Sequence, residues 1–324
     1  MISKIDLIST YLRNASETQV GKRLLQASKF AFTLAVLSYL SYQTYSIGWI
    51  NLWHSLPQTL WFYILWLIMY LQLPLTESLI YCNIWNISYI ECTPALLRKK
   101  VLNQDVAGYS GEFYYYAWAK SHAGIGEDNI LGAIKDNNIA SGFAATTASL
   151  ITIGLFLLTE SIPVSEVFTG RDLGYALLFA ALFFSLATII LYFRKSVFSL
   201  SSTLIYKIFT IHIVRNTGVF GLQVAQWWVV FPSAPLSVWA TMLAIVIVAS
   251  RLPFIPAKDW AAMSAILGIS SFLDAPESVI AGLLLVHAGL NHGANFLVFS
   301  LLRFLGYYQN TSAKRVKNNS NTKI

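Results

Sequence analysis

Charged residues are scarce in this chain of 324 residues. Asp, Glu, Lys and Arg together make up 11% of it, less than half of the share of about a quarter that is typical of soluble domains. Apolar residues make up 56%, and the mean hydropathy is +0.57. So few charges do not suit the surface of a soluble protein, and so much apolar sequence excludes intrinsic disorder. The class that remains is a polytopic membrane protein.

Several signatures of enzymes and metal proteins are also missing. The two cysteines, Cys82 and Cys92, are too few for a disulfide framework or a cysteine metal site. The sequence contains no Walker loop, no Gly-x-Ser-x-Gly and no His-Glu-x-x-His. We therefore expect no catalytic residues, no metal and no cofactor. The net charge of +7 is explained by the Lys and Arg residues that membrane proteins concentrate in their cytoplasmic loops. We therefore expect no nucleic-acid partner.

Apolar windows long enough to cross a bilayer recur along the chain, since a spanning helix takes about 20 residues. The windows are 30–50, 59–82, 139–160, 174–193, 209–231, 236–250 and 278–302. A further apolar piece, 260–273, is marginal and is either a short span or a re-entrant helix. We predict an all-α polytopic transmembrane bundle over residues 30–305, with 7 or 8 spans and one or two re-entrant or broken helices.

Basic residues are concentrated in alternate loops, which indicates the orientation of the bundle. They precede the first window and follow the second, fourth, sixth and last, whereas the loop 160–173 is mainly acidic. This pattern predicts a cytoplasmic N-terminus in a bacterial inner (plasma) membrane. Residues 1–29 predict an amphipathic cytoplasmic helix on the membrane surface. Residues 306–324 are basic and without periodicity, and we expect a disordered cytoplasmic tail.

Two segments interrupt the alternation of spans and loops in a similar way. Residues 102–120 and 251–268 each begin with Gly or Pro turn formers and continue as an apolar helix with an acid near its start, Glu112 or Asp259. A second start signal and a long apolar helix follow each of them. Paired broken helices predict an internal repeat with a site at the repeat interface. The alternative is that the same local pattern occurs twice without a repeat.

Polar side chains follow one face of two predicted spans, and such residues often mark a pathway through a bundle. The stripes are His212, Arg215, Asn216, Gln223 and Gln226 in the fifth span, and His287, Asn291 and Asn295 in the last. Glu77, after Pro74 in the second span, is a candidate partner for Arg215. One interpretation is a polar cavity that suits a phosphate or another anionic headgroup. The other is interhelical hydrogen bonding that only stabilises the bundle.

The two interrupted segments also carry a resemblance to a known family. Gly111-Glu112, with Lys120 and Gly124-Ile125 behind it, and Leu252-Pro253 through Lys258-Asp259, with Leu267-Gly268 behind it, are similar to the motifs of the flippase-like integral-membrane family named for the transmembrane region of lysylphosphatidylglycerol synthases. The chain departs from that pattern at Ile255-Pro256-Ala257, where the family has a glycine pair. The resemblance implies an all-helical bundle that moves lipids or lipid-linked substrates between leaflets.

We therefore expect a translocator of a phospholipid or lipid-linked glycan intermediate, with membrane lipids and glycosyltransferases or other pathway proteins as partners. The residues expected to gate the path or bind the headgroup are Glu77, Glu112, Lys120, Arg215, Lys258, Asp259, His287 and Asn291. One alternative is a non-catalytic scaffold of a glycan or lipid pathway. A further one is a membrane-embedded transferase in which Glu77, Glu112 or His287 serves as acid or base.

Overall fold

A computed structural model describes residues 49–106, 109–122, 126–159, 194–251 and 258–321, together with Ser38, Tyr42, Tyr45 and Ser185. Within these ranges the chain is helical with short connections and contains no β-strand. The predicted all-α class is confirmed for this part of the chain. The predicted surface helix at 1–29, nearly all of the window 30–50 and nearly all of the window 174–193 lie outside the described residues.

The described helices are numbered in chain order. They are α1 (Trp49–His54), α2 (Leu60–Trp85), α3 (Tyr89–Val101), α4 (Ser110–His122), α5 (Glu127–Leu158), α6 (Arg194–Val197), α7 (Ser202–Trp228), α8 (Leu236–Arg251), α9 (Lys258–Gly268) and α10 (Glu277–Asn321). A π-helical turn, Leu102–Val106, directly continues α3 and is called the π-segment below. A 3-10 turn, Ser270–Phe272, follows α9.

Among the described residues, 3 helices are long and apolar enough to cross a membrane: α2, α5 and the part Glu277–Leu302 of α10. They coincide with most of the windows 59–82, 139–160 and 278–302, and the helix prediction is confirmed for the described residues of these windows. Helix α5 begins well before its window, because Glu127 and Asp128 stabilise its N-terminus through the helix dipole. The chain is thus compatible with an integral membrane protein.

The other predicted spans within the described residues are helical but differ in length. Helix α7 has 27 residues and rises about 40 Å, whereas α8 is a shorter apolar helix of 16 residues. Helix α9 has 11 residues and rises about 16 Å, roughly half of the hydrocarbon thickness. The marginal piece at 260–273 is therefore too short to cross as one continuous helix.

The chain divides into two compact units, of which unit 2 comprises residues 57–241 and 285–324. In unit 2, α2 packs against α3 and α7, α5 packs against α7, and α4 contacts both α3 and α5. Buried Ala95, Ala119 and Ala133 belong to the core where α3, α4 and α5 meet. Small side chains let membrane helices approach closely, where dispersion contacts hold them together.

Unit 1 comprises residues 1–56 and 242–284. Within it, Gly282 of α10 lies against the chain just after α1, because a Cβ atom at this position would lie 2.6 Å from the Ser55 carbonyl oxygen. Only glycine allows so close an approach. Buried apolar side chains of this unit include Met242, Ile247, Met263 and Ile266.

The two interrupted segments share an order of elements. In the first, α4 with 13 residues precedes α5; in the second, α9 with 11 residues precedes α10. Acids occupy the first turn of both long helices, Glu127 and Asp128 in one and Glu277 in the other. This order is the one that a repeat would give, and the repeat itself stays a prediction.

Helix α10 extends beyond its predicted membrane window, and the prediction of a disordered tail stays a prediction. The helix continues to Asn321, through most of residues 306–324. No proline or glycine occurs between Tyr307 and Asn321, so no residue of this stretch is a strong helix breaker.

Candidate functional site

A buried group of charges lies in unit 2 where α2, α3 and α4 meet. Lys99 Nζ lies 2.8 Å from Glu77 Oε1 and 3.5 Å from Glu112 Oε1. The side chains of Lys99, Glu77 and Glu112 are 4%, 7% and 16% exposed. We call these three residues the charged cluster. Two carboxylates share one ammonium group, so the cluster has a formal charge of −1 with both acids ionised.

Local sequence features explain why the three side chains converge. Helix α2 continues past Pro74, and Ser78 Oγ donates a hydrogen bond of 2.8 Å to the Pro74 carbonyl. Glu77, one residue before Ser78, is buried. Ser88 caps the start of α3, and Lys99 lies in its last turn, where the helix dipole favours a cation. Helix α4 can begin beside α3 because Gly111 has no side chain: a Cβ atom there would clash with the Lys99 carbonyl.

The π-segment connects to the charged cluster through one side chain. Asn103 Oδ1 accepts a hydrogen bond of 2.7 Å from the Gly111 amide, and Asn103 Nδ2 donates one of 3.1 Å to Glu112 Oε1. Ser110 Oγ donates to the Leu102 carbonyl at 2.9 Å. These bonds fix the first turn of α4 against the end of α3. π-Helical turns often occur at functional sites.

Buried amide and imidazole groups extend the cluster toward α5 and α7. Asn137 Nδ2 donates a hydrogen bond of 3.3 Å to Glu77 Oε1. His212 Nε2 lies 3.0 Å from Asn137 Oδ1, and it donates because an amide oxygen can only accept. Both residues are fully buried. A chain of polar contacts thus crosses unit 2 from α4 to α7.

Two lysines that follow one another in α3 have opposite electrostatic environments. Burial lowers the pKa of Lys99, but the charges of Glu77 and Glu112 outweigh it and raise that pKa above its usual value. Burial lowers the pKa of Lys100 to about 7, and the charge of Asp105 offsets only part of this shift. Lys100 Nζ donates to the Tyr70 carbonyl at 2.7 Å and lies 3.1 Å from the centre of the Tyr70 ring.

Aromatic side chains border the charged cluster on one side. The rings of Tyr81 and Tyr115 each lie 5.8 Å from Lys99 Nζ. Trp85 stacks on both rings, and Trp118 stacks on Tyr115. The negative faces of aromatic rings stabilise a cation in a dry environment, so these rings add to the stabilisation of the Lys99 charge.

A second polar region joins the π-segment to α10. Asn295 Nδ2 donates to Gln104 Oε1 at 3.1 Å, and His292 Nδ1 lies 3.1 Å from Asp105 Oδ1. Asn295 Oδ1 also accepts a hydrogen bond of 2.8 Å from the Tyr70 hydroxyl. The π-segment therefore contacts the charged cluster through Asn103 and α10 through the next two residues.

Among the residues singled out from the sequence, Glu77 and Glu112 come together in the charged cluster. The cation that pairs with Glu77 is Lys99, in place of the predicted Arg215. Arg215 is half-buried in α7 and donates to Asn216 Oδ1 at 3.1 Å. Lys120 forms an exposed ion pair with Glu127 at the end of α4, away from the buried group.

The remaining predicted site residues have other surroundings. His287 Nδ1 donates to Gln226 Oε1 at 3.1 Å, and Asn291 Oδ1 accepts from Trp66 Nε1 at 2.9 Å. Both contacts join α10 to neighbouring helices within unit 2. Lys258 and Asp259 begin α9 in unit 1, and the side chain of Asp259 is exposed.

Lys99 and Lys100 were missed by the sequence reasoning, which assigned them to a basic cytoplasmic loop. The sequence feature that could have identified them is the run Arg98-Lys99-Lys100, which stands directly before an interrupted helix in a chain with very few charges. Within the described ranges, no three His, Cys, Asp or Glu residues are grouped in a way that could hold a metal ion.

Comparison with known proteins gives no relative. No family model, no curated protein and no solved structure matches this chain.

Proposed function

We propose that this chain is a translocator that moves a phospholipid or a lipid-linked glycan intermediate between the leaflets of a bacterial inner membrane. The observation that carries the proposal is the charged cluster of Glu77, Lys99 and Glu112, buried beside helices that can span a membrane. Ionised groups inside a membrane bundle are expensive and usually belong to a substrate or ion pathway. The resemblance to the flippase-like family supports the same assignment. The basic residues in alternate loops favour a cytoplasmic N-terminus.

The position of the cluster supports a transport mechanism. Glu112 belongs to the first turn of α4, directly after the π-segment, and interrupted helices commonly line substrate sites in transporters. A shift of the π-segment would move Asn103 and change the contact of Glu112 with Lys99. In the proposed cycle this element alternates the exposure of a polar path, which Arg215, His287 and Asn291 line farther along. Movement follows the lipid gradient or is coupled to ions.

Lipid movement in proteoliposomes tests the proposal. The purified chain is reconstituted with fluorescent phosphatidylglycerol, and a membrane-impermeant quencher reports how fast labelled lipid reaches the outer leaflet. We expect faster movement with the wild-type chain than in protein-free liposomes. Arg215→Ala should reduce it to the protein-free rate at unchanged abundance, whereas Lys207→Ala, an exposed position in the same helix, should have no effect.

Two results would count against this assignment in different ways. Movement by Arg215→Ala at the wild-type rate removes Arg215 from the path. Movement by the wild-type chain at the protein-free rate, for both a phospholipid and a lipid-linked glycan, contradicts the translocator itself.

A scaffold function is the second candidate, and one observation favours it. His287, Asn291 and Asn295 each bond to a residue of another helix, as expected for polar groups that only hold a bundle together. In that case His287→Leu and Asn291→Leu lower the thermal stability of the chain and leave lipid flux unchanged. A loss of flux at unchanged stability decides for the translocator.

A further inference from the structure

One basic side chain of unit 2 has aromatic neighbours instead of an acid. Arg98 is half-buried in the last turn of α3, next to the start of the π-segment. Its guanidinium carbon lies 4.8 Å from the centre of the Tyr114 ring and 6.0 Å from that of Phe299. Tyr114 belongs to α4 and Phe299 to α10, so rings from two other helices hold this cation.

The contrast with the neighbouring lysines is informative. Lys99 has the carboxylates of Glu77 and Glu112, and Lys100 has the carbonyl and the ring of Tyr70. Among the residues that the structure describes, no carboxylate forms an ion pair with Arg98. Burial raises the pKa of Tyr114, and the charge of Arg98 and its hydrogen bond to the Tyr114 side chain offset part of that shift.

The chemistry of a guanidinium group determines which ligand fits. Stacking on aromatic rings uses its faces, and the hydrogen bond to the Tyr114 side chain uses only part of its N–H edge, so further N–H donors remain for an acceptor. The five N–H donors are arranged as a fork that matches two oxygens of a phosphate. The rings lower the mobility of the side chain before a ligand arrives, so less entropy is lost on binding.

We propose that Arg98, held between Tyr114 and Phe299, binds the phosphate group of an anionic lipid or phosphate ester. This inference names the headgroup chemistry of the proposed translocator and rests on that proposal for its biological role. Phosphate binding itself is measured without lipid movement. If the wild-type chain binds phosphate but does not move lipid, the result contradicts the translocator and leaves the Arg98 site in place.

Native mass spectrometry of the full chain in detergent tests the site. Phosphatidylglycerol is the probe, and diacylglycerol with the same chains is the reference without phosphate. We expect Arg98→Gln to weaken the retention of phosphatidylglycerol about tenfold, because a charge-assisted hydrogen-bonded pair is lost, with no effect on diacylglycerol. Arg98→Lys keeps the charge but not the fork and should fall between the two. Lys207→Gln, at an exposed position of α7, should match the wild type.

A second variant covers the case in which Arg98→Gln does not fold. Phe299→Leu retains the guanidinium and removes one ring, and we expect it to weaken retention of phosphatidylglycerol severalfold. Displacement of the lipid by inorganic phosphate assigns the site to a soluble phosphate ester, and resistance to displacement assigns it to a lipid. Equal retention of phosphatidylglycerol by the wild type, Arg98→Gln and Phe299→Leu overturns the inference.

Discussion

Lys99 donates a hydrogen bond of 2.8 Å to Glu77 across 22 positions of the sequence, and both side chains are buried. Removing two such charges from water costs several kcal/mol for each ion, which their attraction does not always offset. For this pair, which joins α2 to α3, we therefore infer a role beyond stability. In the proposed translocator, the pair holds the end of α3 in place at the point where the helix is interrupted and Glu112 enters.

Gly111 is predicted to be a sensitive position. In Gly111→Ala the new methyl group meets the Lys99 carbonyl and the side chain of Asn103, so the first turn of α4 must move away from α3. We expect a lower melting temperature in detergent, by several degrees. Gly142→Ala in α5 is the matched control, because nothing lies within 4 Å of its added Cβ, and helical Gly→Ala changes usually stabilise by about 0.5–1 kcal/mol. Equal effects of the two variants would contradict the close approach of α4 to α3.

Asp136 is predicted to connect α5 to the segment before α7. Its Oδ2 accepts hydrogen bonds of 2.7 Å from the amides of Ser199 and Leu200, and the residue is fully buried. We expect Asp136→Ala to lower the free energy of unfolding by about 1.5–3 kcal/mol, because two backbone N–H donors lose a charged acceptor. Asp128→Ala, an exposed acid in the first turn of the same helix, loses only its interaction with the helix dipole and should cost less than about 1 kcal/mol. Similar melting curves for Asp136→Ala and Asp128→Ala would exclude this connecting role of Asp136.

The environment of Lys100 predicts a dependence of stability on pH. Its pKa is about 7 in the folded chain and 10.5 for a free lysine. Between these values the unfolded chain binds more protons at this site, so the free energy of unfolding rises with pH. Lys100→Met should lack this rise, whereas Lys207→Met at an exposed position should keep it. Unfolding measured near pH 7 and near pH 9 makes the comparison; parallel pH profiles for the wild type and Lys100→Met would show that Lys100 is not the cause.

Part of the fold and of the candidate site could be predicted from the sequence. Apolar windows correctly predicted α2 and the membrane part of α10, because a long apolar run has few other stable structures in a bilayer. The acid of Gly111-Glu112 correctly indicated the start of α4. Sequence patterns also identified Gln226 and His287 as polar residues of two faces. Their contact could not be predicted, since 61 positions separate them and only packing decides which faces meet.

The burial of Lys99 and Lys100 could not be predicted for a different reason. The positive-inside rule counts basic residues near the end of a span and does not distinguish the faces of a helix. Helix α3 turns these two residues inward, toward Glu77 and Tyr70. The second start signal, Gly126-Glu127-Asp128, correctly indicated the start of α5. The apolar window began only at residue 139, because hydropathy alone does not detect a polar first turn.

A double-mutant cycle on Glu77 and Lys99 tests the role of the charged cluster most directly. Unfolding of the full chain in detergent is measured for the wild type, Glu77→Gln, Lys99→Met and the double variant. Lys99→Met should cost about 3–5 kcal/mol, because it leaves Glu77 and Glu112 buried without a cation. Glu77→Gln should cost less, since Glu112 remains near Lys99. We predict that the double variant is destabilised by at least about 1 kcal/mol less than the sum of the two single changes. A coupling energy of zero, with additive losses, would show that the two charges do not interact and would contradict the charged cluster as the centre of the site.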